Sequence, residues 1–405
     1  MNTRFRFLRS SLVKYLQCGI AAAMAIVMLG LPVAGNAQET TSAIRGNITA
    51  SDGSPVANAN VRIVDSRTGR ASSSTTSATG RFLAAGLAVG GPYTVSISAP
   101  NFGSQSITDV FVGLGETFEF DLTLSSEVIE EITVTASAIQ TVQVALGPSS
   151  TFSFDDLQNL PAINRDIRDI IRVDPRIYID EPFAGGVQCV GANPRFNSLT
   201  VDGIRMNDNF GLNSNGFPTQ RQPFPFDAIQ NVSIELAPYD VQYGGFTACN
   251  VNAVTRSGTN EFHGRAWFDY NDDSISGDSL EGVPIGQGDF DETRYGFSIG
   301  GPIIADKLFF FAAYERAETA DIFDRCAGDQ SCGRPVLGVS QAQLDRILDI
   351  ARTLWNYDPG DPVATLPNED EKYLIKLDWH INDDHRAALT YNWNDGFNFS
   401  RADSA

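Results

Sequence analysis

Apolar and polar residues alternate with a period of two over long stretches after residue 260, and this limits what the chain can become more than any other feature. Tyr373, Ile375, Leu377, Trp379 and Ile381 alternate with Lys372, Lys376, Asp378 and His380, and Ala387, Leu389, Tyr391 and Trp393 alternate with Arg386, Thr390 and Asn392. Tyr295, Phe297 and Ile299 do the same against Arg294, Gly296 and Ser298; residues 265–270 open the series, and residues 308–314 are apolar on both faces. Successive side chains of a strand point to opposite faces, so these segments predict amphipathic strands. Apolar faces that end in Tyr and Trp suit a lipid-facing band between aromatic girdles. The connections alternate as well. Short turns fall around Ala305-Asp306-Lys307 and Asn382-Asp383-Asp384-His385, whereas the links over about 271–291 and 318–371 are long and polar. Short turns on one side and long loops on the other make an outer-membrane barrel; a soluble sandwich does not need that bias.

The first residues set the compartment. Arg4, Arg6, Arg9 and Lys14 precede an apolar run over residues 18–31, and Gly35-Asn36-Ala37 supplies small residues at a cleavage site before Gln38. That is the layout of a secretory signal peptide over residues 1–37, and the run is short for an uncleaved membrane anchor. Its removal takes four basic residues and no acidic one, so the net charge of −20 becomes −24. Such a balance lacks the basic footprint that nucleic acid requires. No apolar run of helix length follows Leu31, so a membrane would have to be crossed by strands.

Between leader and barrel strands the pattern changes twice. Residues 38–124 show short alternating segments (Ile44 to Thr49, Val61 to Val64, Arg81 to Leu83, Tyr93 to Ile97, Phe118 to Leu124) punctuated by Asp52-Gly53, Thr68-Gly69 and Thr79-Gly80. This predicts a small β-sandwich with Phe118, Phe120, Leu122 and Leu124 on one face. Residues 125–150 are a polar connector around Ile132-Thr133-Val134-Thr135-Ala136. From local pattern this is either a peptide offered to a partner by strand addition, or a last strand or plain linker. Residues 151–260 read as a compact α+β domain. Ser153 and Asp156 are spaced for a capping box, Pro161 ends that helix, and Asn164 is placed to cap a second one carrying Ile167, Ile170 and Ile171. Strands are expected at 199–201, 204–206 and 232–236, with a long irregular loop over 207–227.

Taken together the pieces resemble a TonB-dependent receptor of the Oar-like kind with an N-terminal carboxypeptidase-regulatory-like domain. That domain is matched by Ile44-x-Gly46-x-Ile48, Pro55-Val56-Ala57-Asn58-Ala59-Asn60-Val61, Thr79-Gly80-Arg81-Phe82 and Gly91-Pro92-Tyr93-Thr94-Val95. Glu131-Ile132-Thr133-Val134-Thr135-Ala136 resembles a TonB box. The stretch from Leu199 to Asp208, with Asp202, Gly203, Asn207 and Asp208, resembles the central plug motif. Tyr243-Gly244-Gly245-Phe246 and the run from Asn252 to Gly264 resemble the end of the plug and the entry to the barrel. The resemblance implies a mainly β protein of the Gram-negative outer membrane with the sandwich in the periplasm. It also implies transport of an unidentified extracellular ligand, energised by the periplasmic domain of TonB. Ala237-Pro238-Tyr239-Asp240 departs from the Arg-Gly-Pro run usual in siderophore receptors, which leaves the ligand class open. A surface adhesion or assembly protein with the same architecture and no import is the alternative. Residues 261–405 yield about five strands where a large transporter has about 22, so the reading is an incomplete barrel with further strands expected.

No catalytic constellation, cofactor motif or metal site stands out. His263, His380 and His385 lack metal-ligand spacing, no GxSxG elbow or P-loop occurs, and the pairs Asp155-Asp156 and Asp383-Asp384 read as loop acids. Cys189, Cys249, Cys326 and Cys332 remain after processing, an even number in an oxidising compartment. Cys326 and Cys332 are spaced for a local bridge. That leaves Cys189 and Cys249 to close a loop of about 60 residues, worth roughly 4 kcal/mol in the chain-entropy model, or to stay as buried thiols.

Overall fold

The computed structural model describes residues 40–405 except 126–131, 136–140, 145–147, 181–184, 209, 212, 214, 220, 237–243, 278, 285–289, 323–324, 331–333, 361–364, 383–384 and 399–405. The leader, Glu131, Ala136, Tyr243, Cys332 and the Asp383-Asp384 pair lie outside the described residues.

The N-terminal part is a two-sheet sandwich. Its first seven strands are β1 (Thr41–Ala50), β2 (Asn60–Asp65), β3 (Ala71–Thr75), β4 (Arg81–Ala88), β5 (Gly90–Ser98), β6 (Gln105–Val112) and β7 (Thr117–Leu124). Alternate residues turn inward, so Ile44, Ile48, Val61, Ile63, Val95, Ile97, Ile107 and Phe120 form one core. Phe120 packs against both Phe82 and Phe118, and Leu124 is buried with them, while Leu122 is only partly buried.

The described parts of the connector are strands, β8 (Ile132–Thr135) and β9 (Thr141–Val144). One extends the sheet β3-β2-β5-β6-β8 and the other the sheet β4-β1-β7-β9. The β-branched residues that make this segment favourable as an extended strand also let it complete a nearby sheet edge.

The plug begins at β10 (Ser149–Ser153). It continues through β11 (Ile177–Asp180), β12 (Gly186–Cys189), β13 (Ser198–Val201), β14 (Ile204–Arg205), β15 (Ile229–Leu236) and β16 (Cys249–Thr255). Its main sheet has the order β10-β15-β16-β13-β14. Helix Phe154–Asn159 starts at the expected Ser153–Asp156 capping box. The next helix, Ile167–Ile171, is capped by Asp166 rather than Asn164: the Asp166 carboxylate accepts from Arg168 N, whereas Asn164 N donates to Asp169. Leu157, Ile167, Ile170 and Ile171 share a core with Val232, Ile234 and Val251. The irregular loop over 207–227 adds Phe217, Phe224 and Phe226 to that core.

The last part is built on a five-stranded antiparallel meander with smaller elements in its links. β17 (His263–Asp272) is followed by the short pair β18 (Ser279–Leu280) and β19 (Val283–Pro284), then β20 (Asp291–Ile304) and β21 (Leu308–Ile322). The pair β22 (Arg325–Ala327) and β23 (Arg334–Val336), the helix Gln341–Leu354, β24 (Thr365–His380) and β25 (Arg386–Asn398) complete it. The sheet order is β17-β20-β21-β24-β25, so its two edges do not meet. The strands outrun their expected ends and shorten the long link, which holds an unanticipated helix opened by a Ser340–Gln343 capping box. Among the described residues no helix is long and apolar enough to cross a membrane.

Candidate functional site

The sequence Asp202-Gly203 closes the β13–β14 hairpin with both residues at positive φ, 48° and 77°. This is the geometry of a type I′ turn, for which Asp-Gly is a favoured pair. The Asp202 carboxylate then accepts from Thr255 N at 2.8 Å and Thr255 Oγ1 at 2.5 Å, and lies 3.5 Å from Lys376 Nζ on β24. One carboxylate thereby joins the hairpin, the end of the plug sheet and the barrel sheet. The Asn207 side chain accepts from Leu199 N and donates to Asn197 O, which fixes the chain leaving the hairpin. Asp208 accepts from the N–H groups of Phe210, Gly211 and Asn213 and shapes the loop that follows. Asn252, fully buried, accepts from Thr200 Oγ1 across β16 and β13 at 2.9 Å. The Gly245 carbonyl accepts from Arg205, while Gly244 has open space around it.

A disulfide joins Cys189 to Cys249 with the Cα atoms 5.9 Å apart, tying the end of β12 to the start of β16. Cys326 is also disulfide-bonded; its expected partner, Cys332, lies outside the described residues.

A second set of contacts is carried by the barrel sheet, whose inner face is charged. Lys372 Nζ lies 2.8 Å from Asp370 and 3.3 Å from Glu315, and donates to the backbone carbonyl of Gln222 in the plug at 3.2 Å. Glu315 in turn accepts from Phe226 N at 3.0 Å. All three charged groups are buried. A buried charge is tolerable only when paired and hydrogen-bonded, and here the plug backbone supplies part of that pairing.

Each of the five strands of the large sheet, β17, β20, β21, β24 and β25, touches the plug. The Arg165 guanidinium sits 3.9 Å from the Trp267 ring on β17, and Arg294 on β20 donates to Ile163 O. Arg221 donates to Thr319 on β21 at 2.9 Å, and Asn392 on β25 donates to Pro223 O at 2.8 Å. Arg256, at the plug exit, lies over Phe154 and Phe311, and burial lowers its pKa. Within the plug, burial pushes Asp166 up, but the Arg168 guanidinium outweighs it and holds the carboxyl below its usual range. Asp174 is held well below that range, chiefly by the hydrogen bond from Arg176.

The outer face of the same sheet is apolar. Phe268, Tyr295, Phe297, Ile299, Ile375, Leu377, Trp379, Leu389 and Tyr391 all project there and are exposed. The sandwich meets the other domains beside the short turns. Val89 and Leu114 pack on Val254, and Asn260 N donates to Arg67 O while its side chain exchanges hydrogen bonds with Asp306.

Sequence reasoning singled out Asp202, Asn207, Asp208 and Asn252, which the structure gathers around one hairpin, loop and sheet. It missed Glu315, Asp370 and Lys372 as a trio, although Lys372, Lys376 and Asp378 on the polar side of an alternating strand were an available signal. Among the described residues no group of three or more His, Cys, Asp or Glu is arranged to hold a metal ion.

Three family models match in succession: a carboxypeptidase regulatory-like domain over residues 43–125, a TonB-dependent receptor plug domain over 141–249, and an outer membrane β-barrel domain over 254–321. A plug fastened to the inner face of an amphipathic sheet, behind a sandwich, follows the order in which these three models match, and together they give the chain the domain make-up of a TonB-dependent receptor of the Gram-negative outer membrane. It is similar to the TonB-dependent transporter Oar of Myxococcus xanthus, with 27% identity over 330 residues. That alignment covers 75% of this chain and 28% of the relative, so the chain spans under a third of that protein's length. Among solved structures, the siderophore receptor PirA of Acinetobacter baumannii matches with 19% identity and a TM-score of 0.42, covering 63% of this chain and 32% of that one. The outer membrane transporter YddB of Escherichia coli matches with 15% identity and a TM-score of 0.43, covering 61% and 33%.

Proposed function

We propose that the protein works as an outer-membrane TonB-dependent receptor that takes up an unidentified extracellular ligand, with energy delivered by the periplasmic domain of TonB. The observation that carries this reading is the division of the barrel sheet. Its apolar outer face suits lipid, and its charged inner face holds a small domain through side chains that can exchange one set of partners for another. Glu131 to Ala136 is the coupling segment; Ile132, Thr133, Val134 and Thr135 favour the extended form that strand addition to a partner requires. The sandwich, beside the short turns, faces the periplasm. Asp202 is the hub through which a rearrangement of the plug reaches the barrel wall.

The test is Val134→Pro, which removes a backbone donor and opposes strand pairing. In cells that depend on this protein for growth, the variant reaches the outer membrane in normal amount and loses ligand-dependent growth. Unchanged growth contradicts the reading and favours an adhesion or assembly role, in which the sandwich is the working part and nothing is imported.

A further inference from the structure

The coupling strand is already occupied. β8 lies parallel to β6 with Gln105 opposite Ile132, Ser106 opposite Thr133, Ile107 opposite Val134 and Thr108 opposite Thr135. β9, next in the chain, lies antiparallel to β7, with Phe120 opposite Thr141 and Thr117 opposite Val144. Only then does β10 enter the plug sheet, with Ser149 opposite Glu235 and Ser153 opposite Asn231. The segment between sandwich and plug therefore adds one edge strand to each sandwich sheet before it reaches the plug.

We infer that the sandwich is an intramolecular competitor for the coupling strand: the edge of β6 holds residues 132–135, and a periplasmic partner that pairs with the edge of β8 now facing β6, or draws the segment out of the sheet, must displace that pairing. This rests on the proposed assignment of residues 132–135 as the coupling segment. Two physical arguments support it. A strand has two edges, and here one is taken by β6, so a partner engaging the segment from both sides or drawing it away from the sandwich must break that pairing. Among the described residues the pairing is four residues long, short enough to be reversed by a partner with a better-fitting edge. The position of β9 adds a second catch. It lies between the coupling strand and the plug, so a pull on residues 132–135 loads the β7–β9 pair before it loads Ser149. The plug is thereby shielded from a pull that has not first stripped the connector from both sheets.

The experiment compares binding of the purified periplasmic domain of TonB to the full chain in detergent micelles, to a synthetic peptide of residues 129–138, and to two variants. In Ser106→Cys/Thr133→Cys the paired positions lie on strands about 5 Å apart and are joined by oxidation or a short thiol cross-linker. In Gln105→Pro the acceptor edge is weakened. The expected results are that the peptide binds at least about tenfold more tightly than the full chain, that cross-linking abolishes binding, and that Gln105→Pro moves the chain toward the peptide. Reduction restores binding of the oxidised variant, with the unmodified chain under the same reagents as the control. If peptide and full chain bind equally and the cross-link changes nothing, the competitor role is overturned while the coupling segment stands. If the peptide itself does not bind, the coupling assignment fails and takes the competitor role with it.

Discussion

The sandwich and the barrel sheet use the same period of two in opposite senses. In β2 the inward positions are Val61, Ile63 and Asp65, and the two apolar ones join a closed core. In β24 the inward positions include Asp370, Lys372 and Lys376, and the apolar residues Ile375, Leu377 and Trp379 point out. Alternation alone makes a strand; which side carries the apolar residues decides whether the sheet hides from water or faces lipid. The barrel sheet can invert the usual order only because a second domain fills its concave side. The plug covers these groups and at the same time provides Gln222 O, Phe226 N and Thr255 as hydrogen-bond partners for them.

The strongest way to break this contrast is Lys372→Ala. It leaves Asp370 and Glu315 buried without their cation, a change that typically costs about 3–5 kcal/mol. Urea-dependent proteolysis of the plug in outer-membrane vesicles should show release from the sheet at markedly lower urea, with the sandwich unaffected. Equal urea midpoints for the variant and the parent chain would mean that the inner-face charges do not hold the plug.

A smaller effect sharpens the contrast by pH. Asp166 and Asp174 have pKa values held below the ordinary carboxylate value, which is about 3.9. The stability they contribute is therefore fully present above about pH 4 and is lost as pH falls through their lower folded values. The plug should lose thermal stability below about pH 4 before the sandwich does, since Asp166 and Asp174 are buried whereas the sandwich carboxyl that is held low, Asp52, is exposed. Hydrogen exchange of the two domains at pH 7 and pH 3 measures this, and parallel loss in both would contradict it.

Much of the architecture was legible because turns and period coincide. Asp52-Gly53 and Thr79-Gly80 sit where the sandwich chain reverses, and β20, β21, β24 and β25 enclose the segments marked by alternation. What was not legible depended on neighbours. Ala71-Ser72-Ser73-Ser74-Thr75 has no apolar alternation and becomes β3 by pairing with β2. Residues 132–135 read as strand or linker and residues 141–144 as linker, and the edges of β6 and β7 decide for strand in both. The helix Gln341–Leu354 was hidden in a long polar link, although Ser340 and Gln343 stood at capping-box spacing. For the site, Asp202 and Asn252 could be named from the motif, but their partners Thr255 and Thr200 could not. Lys372 was visible as a polar position; its contact with Gln222 could not be seen, because it uses a backbone carbonyl 150 residues away in sequence.

The opposite polarity of the two sheets is tested most directly by a nitroxide scan of residues 372–380 and 60–65 in a lipid bilayer, one site at a time, against a lipid-soluble and a water-soluble relaxation agent. The account predicts a period of two in the first segment, with 373, 375, 377 and 379 exposed to the lipid-soluble agent and 372, 374, 376 and 378 shielded from it. It also predicts that no position in 60–65 contacts lipid. Lipid exposure at the even-numbered positions, or no period in the first segment, would contradict it.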